Sequence, residues 1–374
     1  MTKRSQAWLG MAALLVSGGA LAQSNVVVYG RVDVGVQWNE EYSSTTGQQE
    51  NLWSIDSGYQ SGSRFGLRGS EGLGGGLKAI FTVEAGFDTA TGQSTQGGVF
   101  FGRQAWAGLE GGLGSVVLGR IPTPSSGTGS FDMWSVVDPF GAGFGINQSG
   151  STFIAANALR EDNAVLYVTP AFGGFKGAAG YSFNRGGAET APQGSNSPAV
   201  TLAGSFSSGP FYAVVTYDAL GYPDPGSANA NAGKPDEKLL QIGVTWDFKV
   251  VKFYGAYANQ SNISAVRAGV SIAPPTGVVA YDNQAWMLGA TVPLFGGSLM
   301  ASYQSADADS QTYATAAGLA TFKPDYWVWG LGYQYPLSRR TNLYTGYGQV
   351  SADGTLNAMQ VDQKQFGMGI RHLF

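Results

Sequence analysis

Apolar and polar side chains alternate with a period of two over most of the chain, as in strands with one apolar and one polar face. In the segment 26–38 the even positions carry Val26, Val28, Val32, Val34, Val36 and Trp38, and the odd ones carry Tyr29, Arg31, Asp33 and Gln37. The split returns in Leu240, Ile242, Val244, Trp246 and Phe248 against Gln241, Gly243, Thr245 and Asp247. It returns again in Trp327, Trp329, Leu331, Tyr333 and Tyr335 against Val328, Gly330, Gly332 and Gln334. The last segment sets Phe366, Met368, Ile370 and Phe374 against Gln365, Gly367, Gly369 and Arg371. A soluble sandwich alternates in the same way. Here, however, aromatics gather near the ends of the apolar face, and the opposite face is Gly, Ser, Thr, Gln and ions. Segments of about 9–12 residues complete the pattern of strands tilted across a bilayer around a wet interior.

Sixteen such segments can be placed, at 26–38, 60–70, 76–88, 100–110, 115–121, 162–170, 174–184, 198–207, 210–219, 237–248, 251–261, 283–294, 297–305, 325–336, 341–351 and 364–374. An even number closes an antiparallel barrel with both termini on one side. Short Gly-rich turns at 71–75, 111–114 and 295–296 take turns with long polar loops near 39–59, 220–236, 262–282 and 306–324. That asymmetry fits a bacterial outer-membrane barrel. The predicted fold is therefore all-β, a sixteen-stranded antiparallel transmembrane β-barrel. One connection, 122–161, is 40 residues long, well past the length at which loops are usually functional or disordered. Phe131, Met133, Trp134 and Phe140 give it too much apolar surface for a solvated tail. It is expected to fold inward, as the third outer loop, against the barrel wall.

Composition sharpens this picture. Charged residues make up only 12% of the 374 residues, against about 25% in a typical soluble domain. The 57 glycines follow no collagen period, and 43% hydrophobic residues argue against disorder. After the N-terminus no run of apolar residues is long enough to cross a bilayer as a helix. A net charge of -4 speaks against a nucleic-acid or polybasic membrane-surface role. With no Cys and one His, thiolate metal sites and Cys nucleophiles are excluded and little remains for general-base chemistry. No catalytic residue, cofactor or metal is expected. At the start, Lys3 and Arg4 precede an apolar stretch over 7–20 and an Ala20-Leu21-Ala22 site before Gln23. This reads as a cleaved signal peptide, 1–22, ahead of one barrel domain, 23–374.

The stretch Gly62-Ser63-Arg64-Phe65-Gly66-Leu67-Arg68-Gly69-Ser70-Glu71, followed by Leu73-Gly74-Gly75-Gly76-Leu77-Lys78-Ala79, closely resembles the second hairpin of general porins from beta-proteobacteria. So do Val28-Tyr29-Gly30, the run from Phe101 through Gly102-Arg103-Gln104-Ala105-Trp106-Ala107-Gly108 to Leu109, Leu118-Gly119-Arg120, and the terminal Gly369-Ile370-Arg371-His372-Leu373-Phe374. The matches run in family order from end to end. The resemblance implies a homotrimer of sixteen-stranded barrels in outer-membrane lipid and lipopolysaccharide, passing small hydrophilic solutes and ions. It also implies that the inward loop narrows the pore and that Phe374 is read by the outer-membrane assembly machinery. Carried over residue by residue, the basic wall of the constriction is Arg31, Arg64 and Arg103, and the acidic side is Asp132 and Asp138, the latter in Asp138-Pro139-Phe140-Gly141. Parity places Arg31 and Arg64 opposite the apolar stripe. For Arg103 the alternation is blurred by Gly102 and Gly108, with Trp106 on the opposite parity. Leu166 stands where many relatives carry a basic residue, a gap that Arg160 or Arg68 could fill.

Three other readings compete. A substrate-specific channel would need a file of lumen aromatics; Tyr29 has lumen parity and Trp134 could point inward, but the sequence shows no such file. A barrel hydrolase or acyltransferase would need a nucleophile beside a positioned base; His372 sits at a strand end with lipid-side parity. A purely structural barrel would carry no current.

Overall fold

The computed structural model describes residues 25–43, 48–153, 160–227, 232–263, 278–315, 318–352 and 362–374. The expected signal peptide, 1–22, lies outside the described residues. The strands are β1 (Asn25–Ser43), β2 (Gln48–Ser57), β3 (Arg64–Gly74), β4 (Leu77–Gly86), β5 (Gln104–Gly111), β6 (Gly114–Pro122), β7 (Arg160–Val168), β8 (Phe175–Ser182), β9 (Ala199–Ser208) and β10 (Phe211–Leu220). They continue with β11 (Glu237–Asp247), β12 (Lys252–Ile263), β13 (Tyr281–Leu294), β14 (Gly297–Ala308), β15 (Gln311–Thr315), β16 (Gly318–Phe322), β17 (Tyr326–Pro336), β18 (Thr341–Ala352) and β19 (Gln363–Leu373).

Neighbours in sequence pair antiparallel, β14 passes over the β15–β16 hairpin to pair with β17, and β19 pairs with β1, so the sheet closes. The upper part of β1 pairs with β2 and its lower part with β3, so these two strands form one stave broken at 58–63. Counting that stave once, and setting aside the separate β15–β16 hairpin, the barrel has sixteen staves. Closure pairs the two end strands of the barrel with each other, as hydrocarbon demands of a backbone crossing it. Among the described residues no helix is long and apolar enough to cross a membrane.

Alternation sets the two faces. On β11, Ile242 and Trp246 are each 46% exposed, whereas the intervening Gln241 and Thr245 are buried. On β1, Val26 and Val28 are exposed while Asp33 and Gln37 are buried. The apolar side chains thus face outward, where a bilayer would meet them, and the polar ones face the interior.

Two expected loops contain strands. The stretch 39–59 extends β1 to Ser43 and returns as β2, whose second half turns Trp53 and Ile55 outward, with Trp53 beside Trp38. The stretch 306–324 contains β15 and β16. The segment expected at 100–110 begins only at Gln104. Just before it, the chain turns at Val99, whose carbonyl accepts from the Gly102 N–H.

Candidate permeation site

Residues 123–153, which follow β6, lie against the face opposite the exposed apolar side chains. Three short 3-10 turns, Ser135–Val137, Gly145–Asn147 and Ser149–Ser151, keep this segment compact. Its apolar residues are withdrawn from water: Trp134, Phe144 and Phe153 are almost wholly buried. The wall receives it through small residues. A Cβ on Gly243 would lie 2.6 Å from Val137, one on Gly289 2.7 Å from Pro139, and one on Gly330 2.4 Å from Asn147. Amides and a hydroxyl from the wall complete the fit. Gln304 Nε2 donates to the Asn147 carbonyl at 2.9 Å, Gln260 Nε2 to the Thr152 carbonyl at 3.1 Å, and the Tyr212 hydroxyl to the Met133 carbonyl at 2.7 Å.

A second anchor comes from the break in the β2–β3 stave. Asp33 accepts from the Ser61 N–H and from the Tyr344 hydroxyl, fixing 58–63 away from the regular ladder. Tyr59 then packs in a buried group with Phe140, Phe144, Met300 and Tyr344. Its ring lies 5.9 Å from that of Phe144 and 6.0 Å from that of Tyr344, within the range of favourable aromatic pairing.

Between segment 123–153 and the β1–β5 wall lies a cavity of about 480 Å³. Arg31, Arg64 and Arg103 all line it, as do Arg68 and Arg160. They converge because Arg31 points inward on β1, Arg64 opens β3 beside it in register, and Arg103 sits next to β4 through its N–H bond to the Glu84 carbonyl. Arg103 reaches the interior despite its parity because it lies outside the β5 ladder. Within β5 the inward positions are Gln104 and Trp106, and Trp106 packs on Phe131 with ring centres 5.0 Å apart. The outward reading of Trp106 is thereby corrected, since the break at 102–103 resets the alternation.

The residue that organises these cations is Glu84, which sequence reasoning does not single out. Its carboxylate accepts from Arg103 Nε at 2.7 Å and from the Tyr29 hydroxyl at 2.9 Å, and lies 3.8 Å from an Arg64 guanidinium nitrogen. Arg103 also donates to the Thr128 hydroxyl at 3.1 Å, linking wall to loop. Arg160 donates to the Arg103 carbonyl, and the Arg68 guanidinium lies 5.1 Å from the centre of the Tyr29 ring. Inward parity of Thr82 and Glu84 on β4 is the signal that could have found Glu84.

The two loop carboxylates differ. Asp132 lines the cavity, and its carboxylate accepts from the Trp134 and Ser135 N–H groups and the Ser135 hydroxyl. Burial pushes its carboxyl above the ordinary range against the pull of those donors. Asp138 is turned into the loop instead. It accepts from the N–H groups of Phe140 at 2.8 Å, Ala142 at 3.2 Å and Ser149 at 2.7 Å, and it is 3% exposed. Asp138 therefore braces the loop, and burial pushes its carboxyl up as well. Phe374 stands at the closure of the barrel, exchanging two backbone hydrogen bonds with Gly30. His372 is exposed, on the face opposite that of the neighbouring Arg371, and shares a hydrogen bond with Thr341.

Comparison with known proteins agrees with this architecture. Residues 9–355 match the family described as Gram-negative porin. The chain is 33% identical to an outer membrane porin protein of Bordetella pertussis, across 97% of this chain and 98% of that one. It is 29% identical to outer membrane porin protein 32 of Delftia acidovorans, across 98% and 99%. In fold it is similar to the anion-selective porin from Comamonas acidovorans, with a TM-score of 0.71 and 24% identity over 94% of this chain and all of that one. These relatives are channels rather than enzymes. The chain belongs to the Gram-negative porin family, as a sixteen-stranded outer-membrane barrel that forms a channel for passive diffusion.

Proposed function

We propose that segment 123–153 is an inward-folded constriction loop and that the cavity between it and the β1–β5 wall is the narrow part of an anion-preferring diffusion pore. One observation carries this reading. Among the described residues five arginines line the cavity against two carboxylates, Glu84 and Asp132, an excess of three positive charges. The Asp138 carboxylate adds nothing there, being spent on backbone N–H groups. Within a constriction the few waters screen less than bulk, so lining charges act on a passing ion at short range. Arg160 and Arg68 both reach the cavity, which makes good the gap at Leu166. Arg31 contributes its guanidinium to the same lining, although its Nε is buried.

The rest of the reading follows the family. Removal of residues 1–22 as a signal peptide precedes insertion, and the terminal Phe374 is the mark read by the assembly machinery. The outward apolar band meets outer-membrane lipid, with lipopolysaccharide above it and neighbouring copies in a homotrimer beside it. The test is conduction through single channels of Arg31→Ser, Arg64→Ser and Arg103→Ser. Each replacement is expected to change conductance and to move the reversal potential in a salt gradient toward cations. Three variants that leave both quantities untouched would remove these arginines from the pore.

A further inference from the structure

A second, smaller space lies on the other side of the loop root. Ile121, at the end of β6, and Thr123, just beyond it, share a small cavity with Glu161 on β7, Ser182 on β8, Thr201 on β9 and Asp218 on β10. Its interior holds about 10 Å³, the room of one water or one dehydrated ion. The register explains the convergence, since Ile121 is paired with Glu161 and Asp218 with Thr201.

Asp218 is 1% exposed, and neither of its carboxylate oxygens has a hydrogen-bond partner. The Thr201 hydroxyl, in a residue 7% exposed, is likewise unpartnered. The hydroxyls of Ser125 and Thr201 lie close enough to pull weakly on the carboxylate without reaching regular hydrogen-bond geometry, and the Ser125 hydroxyl is shared with Thr123 at 2.9 Å. Glu161, 5% exposed, brings a second carboxylate to the same space. A buried carboxylate with only weak hydroxyl donors beside it costs several kcal/mol. A cation seated against Asp218 offsets that cost.

We propose that this cavity binds a single hard divalent cation, of the calcium class, between the root of the constriction loop and strands β7, β9 and β10. The donor set is all oxygen, namely two carboxylates and the hydroxyls of Thr201 and Thr123, which selects calcium or magnesium over softer metals. Among the described residues no group of three or more His, Cys, Asp and Glu forms a metal cluster, so the remaining ligands are hydroxyls, main-chain carbonyls or water. A flexible set of this kind suits calcium, since magnesium demands a near-ideal octahedron. The bound ion fastens the first residues after β6 to the wall and fixes where the loop leaves it.

The rival occupant is a proton held by the Asp218 carboxyl. The two are separated by measuring calcium bound to the full chain, refolded in detergent free of lipopolysaccharide, by equilibrium dialysis and elemental analysis. One saturable calcium per chain is expected, with a thermal midpoint that rises with free calcium, because a ligand that binds only the folded state stabilises it. Asp218→Asn removes one ligand charge and Thr201→Val removes the hydroxyl at nearly constant shape. Both are expected to lose the saturable calcium, and the second keeps the test valid if the first fails to fold. No saturable calcium in the unaltered chain, or the same calcium retained in both variants, overturns the proposal.

Discussion

Glu84→Gln tests the electrostatics of the pore most sharply, because it removes one charge while its amide oxygen still accepts from Arg103 Nε and its amide nitrogen donates to the Tyr29 oxygen in place of the bond Tyr29 now makes. The excess of positive charge on the cavity lining then rises by one. An ion passing at ~6 Å feels about 0.7 kcal/mol per unit charge at the bulk-water dielectric of about 80, which sets the lower bound where the waters are few. The change has opposite sign for anions and cations, so their permeability ratio shifts by about 1.4 kcal/mol, close to tenfold. Salt with a Debye length of about 10 Å roughly halves the energy and leaves about a threefold shift. The assay is the reversal potential of the variant in a planar bilayer under a potassium chloride gradient, compared with the unaltered channel. A shift toward anions by about three- to tenfold is expected. A reversal potential that stays put or moves toward cations would refute the reasoning, because it would mean that permeating ions do not pass within reach of Glu84.

Further outcomes follow from the same geometry. Asp132→Asn should raise anion preference about as much as Glu84→Gln does, read by the same reversal potential. Because burial pushes the Asp132 carboxyl up, acidification should neutralise it before ordinary carboxylates and raise anion preference from above the usual carboxyl range; Asp132→Asn should flatten that part of the pH profile. Asp138→Ala removes three hydrogen bonds to a charged acceptor, each worth about 1.5–3 kcal/mol. Single-channel recordings should then show added current noise, with little change in selectivity. Gly330→Val would drive a side chain into Asn147 and should displace the loop, seen as altered conductance with the barrel still folded by circular dichroism. His372→Ala should leave conductance and selectivity unchanged.

The barrel itself is legible because hydrocarbon outside and water inside impose strict alternation on each strand, as in Ile242 and Trp246 against Gln241 and Thr245. Arg31 and Arg64 are found by the same rule. A strand with a polar start is not legible, and β2 reads as loop because Gln48 to Asn51 carry no apolar residue and leave only a short alternation after them. Neither is a ladder that restarts, and Trp106 falls on the wrong face because the turn at Val99–Gly102 changes the phase. The roles of Asp132 and Asp138 look alike in sequence. They diverge only when the Asp138 carboxylate meets three backbone N–H groups that no alternation pattern reports. Glu84 is visible as an inward residue but not as the partner of two arginines, since that depends on the register that sets Glu84 opposite Gln104 and Arg64 opposite Gly86.

The sign of ion selectivity in the unaltered channel is the decisive measurement. Five arginines against two carboxylates lining the cavity beside segment 123–153 predict a reversal potential on the anion side in a potassium chloride gradient, diminishing as ionic strength rises. A potential on the cation side at low salt would contradict the account, whatever the barrel around it.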